Sequence, residues 1–540
     1  MGGKLVQEKT KVSRDALLDS ARLFMKQGFS NIVAITGVDR KENIELIYHL
    51  GDEHGGMVHL SVSLPKGDPV IDDISSLKPG AKVLEREVHD LFGVEFRGFD
   101  ELDKRRLLLP ECYPEKAPPP LLKDVDLDTF KKYIGDPMAC AYEALTLSAP
   151  LSPESVLVPI GPYHPALKEP EFFSLVVEGE RIKKAFVRIG FVHRGIEKLA
   201  ESRTYIKDVF LFERVCGICS THHAWTFVEA VEKLLNVEPP PRAQYLRTLI
   251  AELERIHSHS LWLGLIGYWI GFESMFMWVW GLRETVMGLF EELTGNRVHK
   301  SFITFGGVRM DISDEKVKKA ATKVSEFEKQ IDSVMETVMS SDLFMERSKG
   351  IAKYTLEEAR AFSAVGPVRR ATGDPYDIRR IEPYGAYGEL DFEVRTTKAG
   401  DVYNLVLVRL GEIKESVRII RQIAEKIPSG NPVPPKPFLG VVKEGEAYAR
   451  TEAPRGELFY YVNSNNTAYP YRVKVRTPTL LNIQLAAHLL EGATLSDFPV
   501  IVTSIDPCFS CMDRVLVYDE RAGCAKIASA EEIGRKWARR

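Results

Sequence analysis

The sequence is poor in cysteine, with seven in 540 residues. That number is too small for a disulfide scaffold, and the first fifteen residues are polar and mixed in charge, unlike a secretion signal. We therefore expect a cytoplasmic protein whose cysteines stay reduced. Four of the seven form two C-x-x-C pairs, which indicates metal binding rather than disulfide bonding.

Neither sign of charge dominates the chain. The 72 basic and 76 acidic residues leave a formal net charge of −4, which argues against a nucleic-acid partner held by bulk positive charge. We find no internal repeat and no low-complexity tract. With 44% hydrophobic residues, the chain has the composition of a globular protein with a sizeable core, and its length predicts two to four domains.

Long apolar runs are also scarce, with one exception at residues 261–282. That stretch is long enough to cross a bilayer. Glu273 and Ser274 lie in its middle, however, and a carboxylate without a partner is costly inside a membrane. We therefore predict a helix buried at the centre of a large helical bundle.

Hydrophobic patterns and proline clusters divide the chain into four parts. We predict a small N-terminal α/β module (1–124), a connector (125–152), a large and mostly helical module with peripheral strands (153–514), and a tail (515–540). The predicted fold class is therefore α+β. In the N-terminal module, a helix is predicted at 16–27 and strands at 32–38, 42–50 and 57–64. In the large module, strands are predicted at 173–178 and 184–189, and helices at 221–235, 242–263, 275–293, 314–339, 402–425 and 481–491.

The two cysteine pairs lie far apart in the chain. Cys216 and Cys219 belong to RVCGICSTHH, and Cys508 and Cys511 belong to DPCFSCMDR. A structural zinc site usually places its pairs about 15–20 residues apart, and dithiol redox chemistry needs one pair alone. A buried centre between two distant segments uses both pairs, and thiolates favour soft metals. The pairs alone do not decide which metal binds.

The residues around both pairs resemble the metal-binding signatures of nickel–iron hydrogenase large subunits. They are similar to the energy-converting branch, which is related to the 49-kilodalton, quinone-binding subunit of respiratory complex I. Further similar segments are GPYHPALKEPEFF, FVHRGIEKL, ELERIHSHSLWLG, FGGVRMDI, GPVRRATG and EAPRGELFYY. In the N-terminal module, LEREVHDLFGVEF and RRLLLPE resemble the 30-kilodalton subunit of complex I. This fusion is typical of formate hydrogenlyase-type large subunits, and it implies a docking role for the N-terminal module.

The resemblance implies a hydrogenase that forms or oxidises dihydrogen by heterolytic chemistry at a nickel–iron centre. It implies Cys216 and Cys508 as terminal nickel ligands, and Cys219 and Cys511 as bridges between nickel and iron. The iron of the family also carries carbon monoxide and cyanide ligands, which accessory proteins install.

Other residues acquire roles from the same resemblance. Cys508 is the expected first proton acceptor, and Glu169 the carboxyl group that passes the proton on. Arg455 is expected above the centre, with Asp506 fixing its orientation. His223 is four residues past Cys219, so on a helix it could hydrogen-bond a thiolate. The simpler alternatives are a surface carboxylate for Glu169, a structural salt bridge for Arg455 and a turn cap for Asp506.

Two other functions fit parts of the sequence. A complex I-type quinone reductase subunit would carry a second histidine in the GPYHP loop where this chain has Lys168, and it would lack the cysteine pairs. A non-catalytic scaffold of a related respiratory complex is the other alternative.

The resemblance also implies partners and a location. The expected partners are an iron–sulfur small subunit similar to the 20-kilodalton subunit of complex I, a ferredoxin-like subunit, membrane ion-translocating subunits, and nickel-insertion and maturation proteins. The expected location is the inner face of the cell membrane. A protease could remove the tail during maturation. Otherwise, we expect a strand at 515–518 and a helix at 530–537.

Overall fold

The protein combines a small N-terminal module with a larger, helix-rich module, which confirms the predicted α+β class. The computed structural model describes residues 3–6, 8–101, 103–110, 113–114, 116–125, 133, 152–435, 438 and 440–508, and the backbone of 516–519 and 524–527. The predicted connector lies almost wholly outside these residues.

Strands occur in both modules. Those of the first 100 residues are β1 (Gly3–Leu5), β2 (Thr10–Lys11), β3 (Asn31–Asp39), β4 (Asn43–Gly51), β5 (Met57–Pro65), β6 (Val70–Asp72) and β7 (Glu95–Arg97). Those that follow are β8 (Ser155–Ile160), β9 (Phe172–Glu178), β10 (Arg181–Arg188), β11 (Ile303–Thr304), β12 (Gly307–Val308), β13 (Gly445–Ala453), β14 (Gly456–Ser464), β15 (Arg472–Arg476), β16 (Leu516–Asp519) and β17 (Cys524–Ile527).

The helices lie mostly in the large module. They are α1 (Leu17–Lys26), α2 (Lys82–Phe92), α3 (Ile196–Ala200), α4 (Tyr205–Glu213), α5 (Ser220–Leu235), α6 (Pro241–Ile270), α7 (Glu273–Thr294), α8 (Asp314–Met339), α9 (Asp342–Ser348), α10 (Leu356–Ala361), α11 (Pro367–Arg370), α12 (Ile378–Ile381), α13 (Val402–Lys426), α14 (Pro478–Leu490) and α15 (Phe498–Ser504). The strands and helices named from the sequence in the N-terminal module all form, and so do the amphipathic helices of the large module.

The two modules are joined through their sheets. The N-terminal sheet has the strand order β2-β5-β4-β3, and the central sheet of the large module has the order β1-β13-β14-β15. The first strand, β1, therefore belongs to the sheet of the large module, where it pairs antiparallel with β13.

A common core fills the space between these sheets. Its members come from β3 and β4 on one side and from β13 and β14 on the other: Val33, Ala34, Val38, Ile47, Tyr448, Phe459 and Tyr461. Both β13 and β14 are buried, because the N-terminal module covers one face of this sheet.

Two buried arginines of β15 connect the two sheets by hydrogen bonds. The Arg472 Nε donates to the carbonyl oxygen of Gly37 at 2.9 Å, and the Arg476 Nε donates to that of Val33 at 2.6 Å. Arg476 also forms an ion pair, in which its Nη2 atom lies 2.6 Å from Glu457 Oε1. A buried guanidinium keeps its positive charge beside such a carboxylate.

The long apolar stretch differs from its prediction. Residues 261–282 form no single helix, because α6 ends at Ile270 and α7 begins at Glu273. Gly271 ends α6 with a φ of +95°, a conformation that favours glycine. Tyr268, Met277 and Trp278 are exposed at 47%, 62% and 45%, so the stretch is not fully buried either. Within the described residues, no helix has the length and apolar character needed to cross a bilayer.

The predicted tail strand forms at Leu516–Asp519, and it pairs antiparallel with Cys524–Ile527. The second strand was not predicted. The helix proposed at 530–537 lies outside the described residues, so cleavage of the tail stays a prediction.

We predict that Arg476→Met lowers the free energy of unfolding by about 3–5 kcal/mol, because it removes the nearest cation of the buried Glu457 carboxylate and leaves the carbonyl oxygens of Val33 and Glu457 without their donor. Thermal unfolding of the full chain measures the change. Arg421→Met is the matched control, since Arg421 and its partner Glu328 form an ion pair with the arginine side chain 46% exposed. The control should cost below about 1 kcal/mol. Equal losses in both variants would contradict the structural role of Arg476.

Candidate metal centre

Cysteines of both pairs meet in the interior of the large module. Cys216 and Cys219 lie in the turn that leads into α5, and Cys508 follows α15. The sulfur atoms of Cys216 and Cys508 are 3.1 Å apart, although the two residues are far apart in sequence. All three thiols are buried, and none is in a disulfide. Cys511 lies outside the described residues.

The three described thiols are candidate ligands for a soft metal. Hydrogen bonding to Cys216 and burial raise the pKa of the Cys219 thiol well above its ordinary value. A bound metal would replace such protons, since thiolates are the ligands. In the part of the chain that the structure describes, no three candidate ligands complete a site. The contact between Cys216 and Cys508 brings the two pairs together, and metal binding by all four cysteines stays a prediction.

A buried glutamate fixes the helix next to the first cysteine pair. Glu254 of α6 accepts hydrogen bonds from the backbone amides of Thr221 and His222 at 3.0 and 3.2 Å, in the first turn of α5. Lys300 neutralises it, with Nζ 2.7 Å from Glu254 Oε1. The amides that open a helix need such acceptors, so Glu254 secures the element that follows Cys219.

Arg455 occupies the two-residue loop between β13 and β14, where Ala453 pairs with Gly456. The backbone of Gly366 packs closely against this loop. A Cβ atom on Gly366 would lie 2.3 Å from the carbonyl oxygen of Arg455, so any larger residue at position 366 would clash with the loop. Gly456 itself has a φ of +129°. The GPVRR and APRG segments thus bring the Arg455 side chain to the buried site.

Three cationic side chains contact the carboxylate of Asp506. Arg455 donates from Nη2 to Asp506 Oδ1 at 3.0 Å and from Nε to the Asp506 carbonyl oxygen at 2.9 Å. Lys168 Nζ lies 3.2 Å from Asp506 Oδ1, and Arg409 Nη1 lies 3.4 Å from Asp506 Oδ2. Burial raises the pKa of Asp506, but the three cations outweigh it and hold the pKa at about 2. Asp506 is therefore an anion two residues before Cys508.

The nearby cysteines also affect the pKa of Arg455. Burial lowers the pKa of Arg455, whereas Asp506 and the three described cysteines raise it more strongly. The guanidinium also donates to the hydroxyl of Ser258 at 3.2 Å. A fixed cation among thiols can stabilise negative charge that develops during a reaction.

The loop that carries Glu169 borders the same region. Glu169 is half-buried and directly follows Lys168, which binds Asp506. Its neighbour Glu171 is fully buried, and burial followed by the charge of Glu169 raises the pKa of Glu171 well above its ordinary value. The proton-transfer role of Glu169 stays a prediction.

His223 is buried on α5, where its Nδ1 atom lies 2.7 Å from the Tyr460 hydroxyl. Burial lowers the pKa of His223 to about 4, so the imidazole is neutral at pH 7. Its expected hydrogen bond to a thiolate stays a prediction.

Sequence reasoning missed two of the cations at the site. Lys168 was noted as a departure from the complex I pattern, but not as a partner of Asp506. Arg409 belongs to the apolar run LVLVRLG within α13, and a lone arginine in such a run is a signal for a buried ion pair. Thr479 was also missed, and its hydroxyl accepts from the backbone amide of Cys508 at 3.1 Å.

Comparison with known families matches three profiles to this chain. Residues 10–131 match the 30 Kd subunit of respiratory-chain NADH dehydrogenase, and residues 270–439 and 438–514 match its 49 Kd subunit. Residues 194–264 match nickel-dependent hydrogenase. The first cysteine pair lies in the hydrogenase match.

Individual relatives extend over most of the chain. Formate hydrogenlyase subunit 5 of Escherichia coli (strain K12) is 34% identical over 95% of this chain and 90% of its own length. A subunit of the F(420)H(2) dehydrogenase of Methanosarcina mazei is 40% identical over 67% of this chain and 99% of its own length. Among solved structures, a chain of the membrane-bound sulfane sulfur reductase, an archaeal respiratory membrane complex, is 33% identical. It superposes with a TM-score of 0.64 over 68% of this chain and 100% of its own length.

We predict that Asp506→Asn destabilises the protein by about 3–5 kcal/mol, because it leaves three buried cations without their common anion. Since the folded pKa is about 2 against an ordinary value of 3.8, the loss should be constant above about pH 4 and shrink as the pH falls toward 2. Denaturant unfolding at several pH values measures it.

Asp311→Asn is the control for this prediction. Asp311 is 45% exposed and pairs with Arg242, which Asp314 also binds. This variant should lose below about 1 kcal/mol. An Asp506→Asn protein as stable as the control would refute the anchoring role.

Proposed function

Because this chain belongs to the family of energy-converting hydrogenase large subunits and their complex I relatives, we propose that it forms or oxidises dihydrogen within a membrane-associated complex. The observation that carries this proposal is the buried contact between Cys216 and Cys508 beside the charged Arg455. The chain is an oxidoreductase by family, and the retained thiols favour hydrogenase activity over the other activities of its relatives.

Four cysteines would hold the nickel–iron centre. In this proposal, Cys216 and Cys508 would serve as terminal ligands of nickel, Cys219 and Cys511 would serve as ligands shared by nickel and iron, and the iron would also carry carbon monoxide and cyanide. When bound, the centre supplies a site for the heterolytic splitting or formation of dihydrogen. The thiols are soft ligands in a buried pocket, which suits nickel and iron better than hard cations.

The side chains around the centre would handle charge and protons. Arg455, held by Asp506, orients the reacting molecule and stabilises negative charge that develops beside it. The Cys508 Sγ atom accepts the proton first, and the Glu169 carboxylate then carries it toward the surface.

Lys168 argues against a quinone reductase of the complex I type. That family has a histidine at this position, whereas here the lysine amine lies 3.2 Å from Asp506 beside the second cysteine pair. A non-catalytic scaffold would have no need of buried paired thiols, so it is also disfavoured.

The first proposed partner, an iron–sulfur subunit, follows from the remaining cysteines of the sequence. Cys112, Cys140 and Cys524 are isolated, so electrons must leave through an iron–sulfur small subunit. We further propose a ferredoxin-like subunit, membrane ion-translocating subunits, nickel-insertion and maturation proteins, and a place on the cytoplasmic face of the membrane.

Mature protein should contain about one nickel and one iron per chain, because four thiolates complete one bimetallic site. Cys216→Ala and Cys511→Ala should each lose both metals. Metal analysis of the purified complex provides the measurement. Cys524→Ala is the control and should keep both metals, whereas full nickel in either ligand variant would overturn the assignment.

Glu169→Gln should retain both metals and slow hydrogen–deuterium exchange between dihydrogen and water by about 10²-fold or more, because an amide cannot relay a proton. The exposed Glu180 provides the control through Glu180→Gln, which should exchange at the wild-type rate. Wild-type exchange in Glu169→Gln would assign the relay to another group.

A further inference from the structure

A second carboxyl group lies close to Glu169 in the chain. Glu171 is separated from it by Pro170 alone and directly precedes β9. Its side chain is fully buried, and within the described residues neither of its carboxyl oxygens has a hydrogen-bond partner. Burial of a carboxyl group without such partners lowers the stability of the fold. The position of Glu171 therefore indicates a role other than stabilisation.

Backbone contacts fix the position of Glu171. Its amide donates a hydrogen bond to the carbonyl oxygen of Pro162 at 3.2 Å. Gly161, which has a φ of +106°, packs so closely that a Cβ atom at this position would overlap the carbonyl oxygen of Glu171. The loop before β9 thus folds back on itself and holds Glu171 on its buried side.

Two charged residues of the same loop act on Glu171. Burial is the largest effect on its pKa and raises it, the negative charge of Glu169 raises it further, and Lys168 lowers it by less. The pKa of Glu171 therefore lies well above its ordinary value, and the residue keeps its proton where an exposed carboxyl group has lost it. An effect of one carboxylate on another also requires the two groups to be near each other.

The two carboxyl groups have different surroundings. Glu169 lines an open cleft of about 400 Å³ on the outside of the loop, whereas Glu171 does not border this cleft. On the interior side, Phe173 packs edge-on against Phe498 of α15, with 5.1 Å between the ring centroids. Since α15 leads to Cys508, this end of β9 lies between the outer cleft and the segment that carries the second cysteine pair.

We propose that Glu171 is a second proton-carrying residue, which holds a proton as a neutral carboxyl group and exchanges it with Glu169. In the exchange, the O–H bond of Glu171 breaks and an O–H bond forms on Glu169, across a direct contact or one water molecule. One carboxyl group is neutral and the other is ionised before and after, and no electron is transferred. Because two neighbouring carboxylates repel, the pair retains one proton after Glu169 has released its own.

This inference rests on the proposed function, in which Glu169 carries protons to and from the metal centre. Capture of a proton by the Glu169 carboxylate leaves both carboxyl groups neutral, and release of either proton restores the single negative charge. Glu171 thus limits the negative charge of the loop to one while the pair takes up and releases protons.

Infrared spectroscopy tests the protonated state of Glu171 without depending on metal. The full chain at pH 7 should show the carbonyl band of a protonated carboxyl group that shifts in deuterium oxide and is lost in Glu171→Gln. If this variant fails to fold, Glu171→Met replaces it, since an apolar side chain of similar length needs no hydrogen-bond partner. Retention of every such band in the variant would overturn the proposal.

Glu85→Gln is the matched control for the infrared measurement. Glu85 is a fully buried carboxyl group of the N-terminal module, and burial raises its pKa to about 8. This variant should lose its own band and keep the band of Glu171.

Hydrogen–deuterium exchange between dihydrogen and water tests the relay in the metal-loaded complex. Glu171→Gln should slow exchange about tenfold or more at unchanged nickel content. Glu171→Asp should recover most of the rate, because it retains a titratable carboxyl group. The double variant Glu169→Gln/Glu171→Gln should exchange no more slowly than Glu169→Gln alone, since both residues belong to one path. Glu85→Gln should exchange at the wild-type rate.

Two outcomes of the exchange measurement would contradict the relay. The first is wild-type exchange in Glu171→Gln at full nickel content. The second is a slowing in the double variant that equals the product of the two single effects, because independent effects multiply. Either outcome in a complex with an active, nickel-containing wild type contradicts the relay alone, whereas a wild-type complex without nickel contradicts the proposed function.

Discussion

The carboxylate of Asp506 is the anion on which the candidate site depends. Lys168 reaches it from the loop before β9, Arg409 from α13 and Arg455 from the hairpin between β13 and β14. Each cation alone would be costly in a buried position, and each is acceptable because one anion serves all three. Because Cys508 follows two residues later, the same interaction sets the position of Cys508 relative to the first cysteine pair.

The two modules form a continuous interior rather than a catalytic body with an attached accessory. Arginines of β15 donate to backbone carbonyls of β3, and apolar side chains from both sheets share one core. The LEREVHDLFG segment has a physical role in this arrangement, because its Asp90 holds the RRLLLP loop by three backbone hydrogen bonds. A motif that suggests docking thus also fixes a loop that packs against Gly190 of the large module.

Sequence patterns predicted the local structure well where periodicity was strong. The helix Asp314–Met339 was predicted with its observed bounds, since charged and apolar residues alternate at helical spacing and Ser313 caps its start. The stretch 261–282 was mispredicted because a continuous apolar run carries no periodicity, and the turn depends on Gly271. The cysteine pairs were visible because their spacing is local. The shared partner of Lys168 and Arg409 could not be predicted, because Asp506 is distant in sequence and only the tertiary fold brings the three residues together.

The pairing of β1 with β13 has a consequence for how the chain is made. Residues Gly3–Leu5 leave the ribosome long before their partner strand, which starts at Gly445. During translation, the edge they will occupy does not yet exist, and the inner faces of β3 and β4 lack their cover. Such long-range pairing slows folding and leaves apolar surface exposed for longer. Nascent chains of this protein should therefore depend on chaperones more than a chain with two independently folding halves would.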